Sequence, residues 1–132
     1  MIDNFFDTLP ATKPRKAKPP DTRPLEKDIQ RKSIKALRKR GVFVSRTNAF
    51  QLEYENRHIS GAEAGHTDLC GCLPPTGRAW YIEIKRPGNK PTPLQAKFIA
   101  ARLAEGAIAD WADSVEKVLR ILGFEPDRWE KE

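Results

Sequence analysis

Glu83 and Lys85 stand two apart in the run Trp80-Tyr81-Ile82-Glu83-Ile84-Lys85-Arg86, which reads as a buried strand. Alternate residues of a strand share a face, so the two charged side chains leave the backbone roughly 7 Å apart on one side. Trp80, Ile82 and Ile84 take the other side and have the character of a core. Opposite charges on the inner part of a sheet are costly to desolvate unless something there engages them. A further acid, Asp68, opens the preceding apolar run, residues 68–73. An acid followed by Glu-x-Lys on the next strand supplies what metal-assisted hydrolysis of a phosphodiester requires. Two carboxylates hold a hard divalent cation through oxygen. The lysine orients or deprotonates a water and offsets developing negative charge.

The elements that must place these groups are marked by turn and cap residues. Pro74-Pro75-Thr76-Gly77 separates the two apolar runs, and so short a polar connection favours an antiparallel hairpin of residues 68–73 with 79–85. Thr92 as cap, Pro93 at the first position and Gln95 at the third predict a helix that runs to Glu105 and ends at Gly106. An earlier helix is expected over residues 25–40, entered through Pro24 and stopped by Gly41. At 100° per residue from Leu25, the residues Ala36, Ile29 and Leu37 fall at about 20°, 40° and 120°, with Glu26 inside that arc at about 100°. Lys27, Arg31, Lys32, Lys35, Arg38 and Lys39 fall between about 200° and 340°. One face is therefore apolar with a single acid, and the other is almost wholly basic.

The remaining pieces are a strand at 42–47, an irregular stretch at 48–65 with a short pairing around 52–59, and a strand at 107–112. Asp113-Ser114-Val115-Glu116 reads as a second capping box, opening a helix to Leu122 that Gly123 closes. The order α-β-β-β-α-β-α predicts an α/β fold, a mixed central sheet flanked by helices. It is preceded by a flexible Pro/Lys-rich tail (1–23) and followed by a peripheral tail (124–132), leaving 24–123 as the folded domain.

Charge is divided unevenly. Residues 13–40 hold twelve Lys/Arg and three Asp/Glu, a net of +9, whereas the rest of the chain is −3. One basic element on a mildly acidic body suggests a polyanionic partner, with a solvated charged helix face as the plainer alternative. No apolar run approaches 18 residues and no signal-peptide pattern is visible, so an intracellular protein without a membrane span is expected. Cys70 and Cys72 alternate on one strand and read as reduced, buried thiols rather than a zinc pair. His66 reads as a loop residue or a phosphate contact, since hard cations prefer oxygen.

The ordered series Gly65-His66-Thr67-Asp68-Leu69, Gly77-Arg78, Ile82-Glu83-Ile84-Lys85-Arg86-Pro87 and Pro93-Leu94-Gln95 resembles the PD-(D/E)xK nuclease superfamily. More narrowly, it resembles the virus-type replication-repair nuclease (VRR-NUC) branch in its short stand-alone phage and prophage form. The resemblance spans about residues 25–122, including Gly41-Val42-Phe43-Val44 and Arg46-Thr47-Asn48. It implies a restriction-endonuclease-like α-β-β-β-α-β core. It also implies Asp68, Glu83 and the Ile84 carbonyl as ligands of Mg2+ or Mn2+, with Glu26 as a further acid near the metal. Lys85 would position the attacking water and Gln95 would shape the site. One departure is Thr67, where the family often has proline.

The same resemblance implies a homodimer that cuts branched DNA such as Holliday junctions, leaving 5′-phosphate and 3′-hydroxyl ends. Arg46 and Arg86, together with the helix cations Lys27, Arg31, Lys35 and Arg38, are the candidate phosphate contacts. Other readings of the same residues stand beside these. Glu26 could point outward or serve only as a first-turn acid, and Gln95 could serve only the capping box. The chain as a whole could be a nuclease-like module that binds DNA without cutting it, or a nuclease of flaps or other non-junction DNA.

Overall fold

The computed structural model describes residues 14–47, 51–54, 57–60 and 62–131. Residues 14–20 are exposed and carry no regular structure. The expected tail over 1–23 otherwise lies outside the described residues as far as residue 13, as does part of the irregular stretch.

Helix α1 (Glu26–Lys39) has Glu26 and Asp28 in its first turn and Arg38 and Lys39 in its last, each sign matched to the helix dipole. Gly41, at φ +74, ends it. Its buried residues are Ile29, Ser33, Ala36 and Leu37, the expected arc with one unexpected serine. Strand β1 (Phe43–Arg46) follows, then a separate hairpin of β2 (Gln51–Tyr54) and β3 (Arg57–Ser60). β4 (Leu69–Leu73) and β5 (Arg78–Ile84) form the expected antiparallel hairpin. Helix α2 (Pro93–Ala104) starts at Thr92 with the full capping box, β6 (Ile108–Ala112) follows, and α3 (Val115–Ile121) closes the core. Ser114, not Asp113, caps α3, accepting from the Lys117 N–H; with lysine at the third position the reciprocal half of the expected box is missing.

The main sheet has the order β1-β4-β5-β6, antiparallel except for the parallel pair β5–β6. It is a mixed sheet flanked by helices, as expected. Trp80, Ile82 and Ile84 are fully buried with Leu37 of α1 and with Val118 and Leu119 of α3. The opposite face of β5 carries Tyr81 and Glu83 toward α2, and Lys85 follows just past its end. Gly71 lies opposite Trp80; a Cβ there would strike the Phe43 carbonyl and meet the Trp80 ring, so this central strand position tolerates no side chain. Among the described residues no helix is long and apolar enough to cross a membrane.

The segment after Gly123, expected to be peripheral, docks on α1. A short 3-10 turn (Arg128–Lys131) buries the Glu130 carboxylate, which accepts from Arg40 at 2.8 and 2.7 Å. Their side chains are 0% and 14% exposed. Asp127 meets Lys39 at 2.8 Å, and Lys39 lies over the Trp129 ring. The guanidinium of Arg40 is the principal cause that holds the Glu130 carboxyl below its usual range. This pair therefore contributes stability above the unfolded carboxyl's titration, and the contribution is lost as pH falls through the lowered folded value. Glu130→Ala is expected to cost about 2 kcal/mol at neutral pH, read from urea unfolding, because it leaves a mostly buried guanidinium without its acceptor.

Candidate metal centre and the basic surface beside it

The last backbone pair of the β4–β5 ladder is Leu69 with Ile82. One step further the register sets Asp68 opposite Glu83, and there side chains take over the bonding. The Asp68 N–H donates to Glu83 Oε2 at 3.1 Å, and the Ile84 N–H donates to Asp68 Oδ2 at 2.9 Å. In a strand the N–H and C=O of one residue project to the same edge, so the Ile84 carbonyl is directed to the Asp68 side as well. Glu83 is 2% exposed. Lys85 Nζ lies 3.8 Å from Glu83 Oε1, and its side chain is 12% exposed.

Gln95 serves both of its possible roles. Its Oε1 accepts from the Thr92 N–H at 2.9 Å, while its Nε2 donates to Glu83 Oε1 at 2.9 Å. The cap fixes which end of the amide is free, and the free end is the donor an ionised carboxylate needs. Sequence reasoning did not foresee the support on the Asp68 side. The His66 ring lies 4.5 Å from Phe98 and 5.9 Å from Tyr81, and Nδ1 is 2.9 Å from the Thr67 carbonyl oxygen. Thr67 is fully buried and its hydroxyl donates to the Leu69 carbonyl. Gly65, at φ +84, packs so closely against Leu94 of α2 that a Cβ would collide with the Leu94 backbone. The glycine of the Gly65-His66-Thr67-Asp68 series carries a signal for that close approach; the aromatic packing of His66 has none.

Burial is the largest cause, and the neighbouring Asp68 carboxylate the next, that push the Glu83 carboxyl up to about 8; Lys85 opposes them. Two facing carboxylates with one lysine leave a surplus negative charge that a cation would relieve. The donors are all oxygen: two carboxylates and one carbonyl. That set fits Mg2+ or Mn2+, of which Mg2+ is commonly held by one or two carboxylates and retains several waters. Among the described residues no three His, Cys, Asp or Glu side chains form a metal-holding group. Glu26, on the first turn of α1, is half-buried but does not join Asp68 and Glu83, so the structure does not bring this expected ligand to the others. Cys70 and Cys72 are free thiols and half-buried, less enclosed than expected.

Four of the six candidate phosphate contacts converge. Arg31, Lys35 and Arg38 of α1 and Arg46 of β1 line one surface concavity around Ile34. Arg46 is opposite Leu69 in the ladder, one residue from Asp68. Lys27 is exposed one turn before Arg31 on α1. Arg86 is a correction. Its Nε donates to the Pro24 carbonyl at 3.1 Å, Nη2 to the Arg23 carbonyl at 2.8 Å, and Nη1 pairs with Asp21 at 3.0 Å. All three nitrogens are engaged within the chain, so this guanidinium is not a free phosphate contact.

Comparison with solved structures suggests a nuclease-type domain. A solved structure described as "VRR_NUC domain" is 26% identical to this chain, covering 74% of it and 92% of the other, with a TM-score of 0.55. The likeness supports the VRR-NUC family. No protein-family model and no curated protein matches the chain.

Two outcomes test this geometry. The Glu83 carboxyl titrates near 4.5 when unfolded and about 8 when folded, so between those values folding takes up a proton. In EDTA, Tm is therefore expected to decline as pH rises from about 5 through about 8, and Glu83→Gln flattens that decline. Gln95→Ala removes both a cap partner and the Glu83 donor; a stability loss of about 1 kcal/mol is expected by chemical denaturation.

Proposed function

We propose that the chain is a divalent-metal-dependent DNA endonuclease of the PD-(D/E)xK type, selective for branched DNA such as Holliday junctions. The observation that carries the reading is the reciprocal Asp68–Glu83 exchange with Lys85 beside it at one end of the sheet. Asp68, Glu83 and the Ile84 carbonyl would hold Mg2+ or Mn2+, which supplies Lewis-acid stabilisation of charge on the phosphate when bound. Gln95 and the Asp68 N–H fix the Glu83 carboxylate. Lys85 positions or deprotonates the attacking water and offsets the charge that develops on the phosphate. Likeness to the VRR-NUC branch implies that the 3′ oxygen is the one displaced, leaving 5′-phosphate and 3′-hydroxyl ends. Arg31, Lys35, Arg38 and Arg46 hold the sugar–phosphate backbone, with Lys27 extending that surface. Such contacts read no base, so the substrate is chosen by shape.

A pair of copies related by a two-fold axis would cut two symmetric strands of a junction. The homodimer and the junction preference rest on likeness to the VRR-NUC branch, the nuclease chemistry on the site itself.

The test is cleavage of a four-way junction, a flap, linear duplex and single strands, in Mg2+, Mn2+ or EDTA. Asp68→Ala, Glu83→Ala and Lys85→Ala should each lose at least about 100-fold in single-turnover rate while still binding DNA. Full activity of the Glu83→Ala protein, or cleavage undiminished in EDTA, overturns the reading. Equal cutting of flaps and junctions retains the nuclease and removes the junction preference. Tight DNA binding without cleavage or metal binding replaces it with a binding module.

A further inference from the structure

The residue that follows Lys85 ties down the chain that precedes α1. Arg86 grips the Arg23 and Pro24 carbonyls and the Asp21 carboxylate. Arg23 returns the contact, donating through Nη1 to the Pro87 carbonyl at 2.8 Å and through Nε and Nη2 to Asp21. Asp21 closes the turn by accepting from the Arg23 N–H at 3.0 Å. Ordering a segment outside any helix or strand costs about 1–2 kcal/mol per residue, and an exposed ion pair alone offsets little of that. Here the contacts act together across more than sixty residues of sequence, so the latch fixes one point of the chain rather than decorating the surface.

What the latch fixes is the root of residues 14–20, Pro-Arg-Lys-Ala-Lys-Pro-Pro. These are exposed and without regular structure, with Arg15, Lys16 and Lys18 and no acid. Proline-rich chain extends by about 3.1 Å per residue, so seven residues reach about 20 Å, enough to follow several phosphates of one strand. A free tail of this composition would sample a wide volume. Its root is tied to Arg86 and Pro87, the residues that follow the end of β5 on which Glu83 stands.

We propose that the Asp21–Arg23–Arg86 latch roots a cationic arm, residues 14–20, beside the carboxylate site, where the arm lies along the sugar–phosphate backbone of the bound nucleic acid. The inference rests on the nuclease reading for its ligand and adds a positioning role for Arg86. The arm supplies charge to the backbone outside the concavity of α1 and Arg46, and the latch supplies the direction in which that charge is presented.

The experiment is a binding titration in EDTA, over a range of salt concentrations, with a labelled 20-base-pair duplex and a four-way junction as probes. Neutralising the arm (Arg15→Gln, Lys16→Gln, Lys18→Gln together) should reduce the slope of log K against log salt by about 2 and weaken binding about tenfold or more at 0.1 M salt. Arg86→Gln and, separately, Asp21→Ala should weaken binding several-fold when the arm is intact and leave it unchanged when the arm is neutralised. Asp21 is exposed, so its variant carries the cycle if Arg86→Gln does not fold. An unchanged salt slope on arm neutralisation overturns the proposal, as do equal losses from the latch variants in both backgrounds. Because the readout needs no cleavage, the two proposals fail separately. Arm-dependent binding by a protein that never cuts removes the nuclease reading alone. Cleavage with an arm-independent slope removes the arm alone.

Discussion

The architecture of the site depends on one constraint: where β4 and β5 stop exchanging backbone hydrogen bonds, the next two N–H groups still need acceptors. Asp68 and Glu83 provide them to each other's strand, through the Asp68 N–H to Glu83 Oε2 and the Ile84 N–H to Asp68 Oδ2. A buried N–H left without an acceptor costs about 1–3 kcal/mol, so each acid completes the sheet as well as carrying charge. The same bonds that finish the ladder bury Glu83 and set two carboxylates face to face; the burial first, and the facing Asp68 second, push the Glu83 carboxyl up to about 8. Lys85 is different. Its backbone N–H bonds to the Ala112 carbonyl whatever its side chain, and among the described residues its ammonium makes only the 3.8 Å ion pair with Glu83. None of the backbone bonds at this end of the sheet depends on that side chain.

The two faces of the sheet divide the electrostatics. Glu83, Lys85 and Gln95 lie on the α2 face. Val44 and Arg46 alternate on β1 toward the α1 face, where Arg46 joins Arg31, Lys35 and Arg38. Asp68 and Glu83 thus lie on the other side of the layer from these four cations, of which Arg31 pairs with Asp28 of its own helix at 3.4 Å, yet the two sides meet at one corner, because Arg46 is opposite Leu69 and the Thr47 N–H donates to the Asp68 carbonyl at 2.8 Å.

Periodicity made most of this legible. Alternation in residues 80–86 separated the core face from the site face, and the arc of α1 separated its buried residues from its cations. Periodicity reports a face, not a partner, and the misreadings share that cause. Arg86 looked like a surface arginine beside the site, but its partners are Asp21, Arg23 and Pro24, more than sixty residues earlier. Glu130 sat in an apparently peripheral tail, but its partner Arg40 is ninety residues away. Glu26 shared an angular position with core residues, yet a first-turn residue lies at the end of its helix, where an angle on the wheel fixes no depth. Ser33 fell in the same arc and is buried at 0% exposure with no hydrogen-bond partner among the described residues, a position that angle alone marks as apolar.

The polar contacts of the site form one continuous chain: the Thr92 N–H to Gln95, Gln95 to Glu83, Asp68 to Glu83, and Ile84 to Asp68. Its first link is a helix cap, a local device of a few residues that assembles with α2 itself. The capping box sets the Gln95 amide through contacts local to the helix, and α2, seated by Phe98 and Ile99, brings that amide to Glu83. The same seating presses Leu94 against Gly65 and Phe98 against His66, which fixes the chain just before Asp68. One helix therefore supports both of the acids that the ladder sets face to face, one through a hydrogen bond and the other through packing.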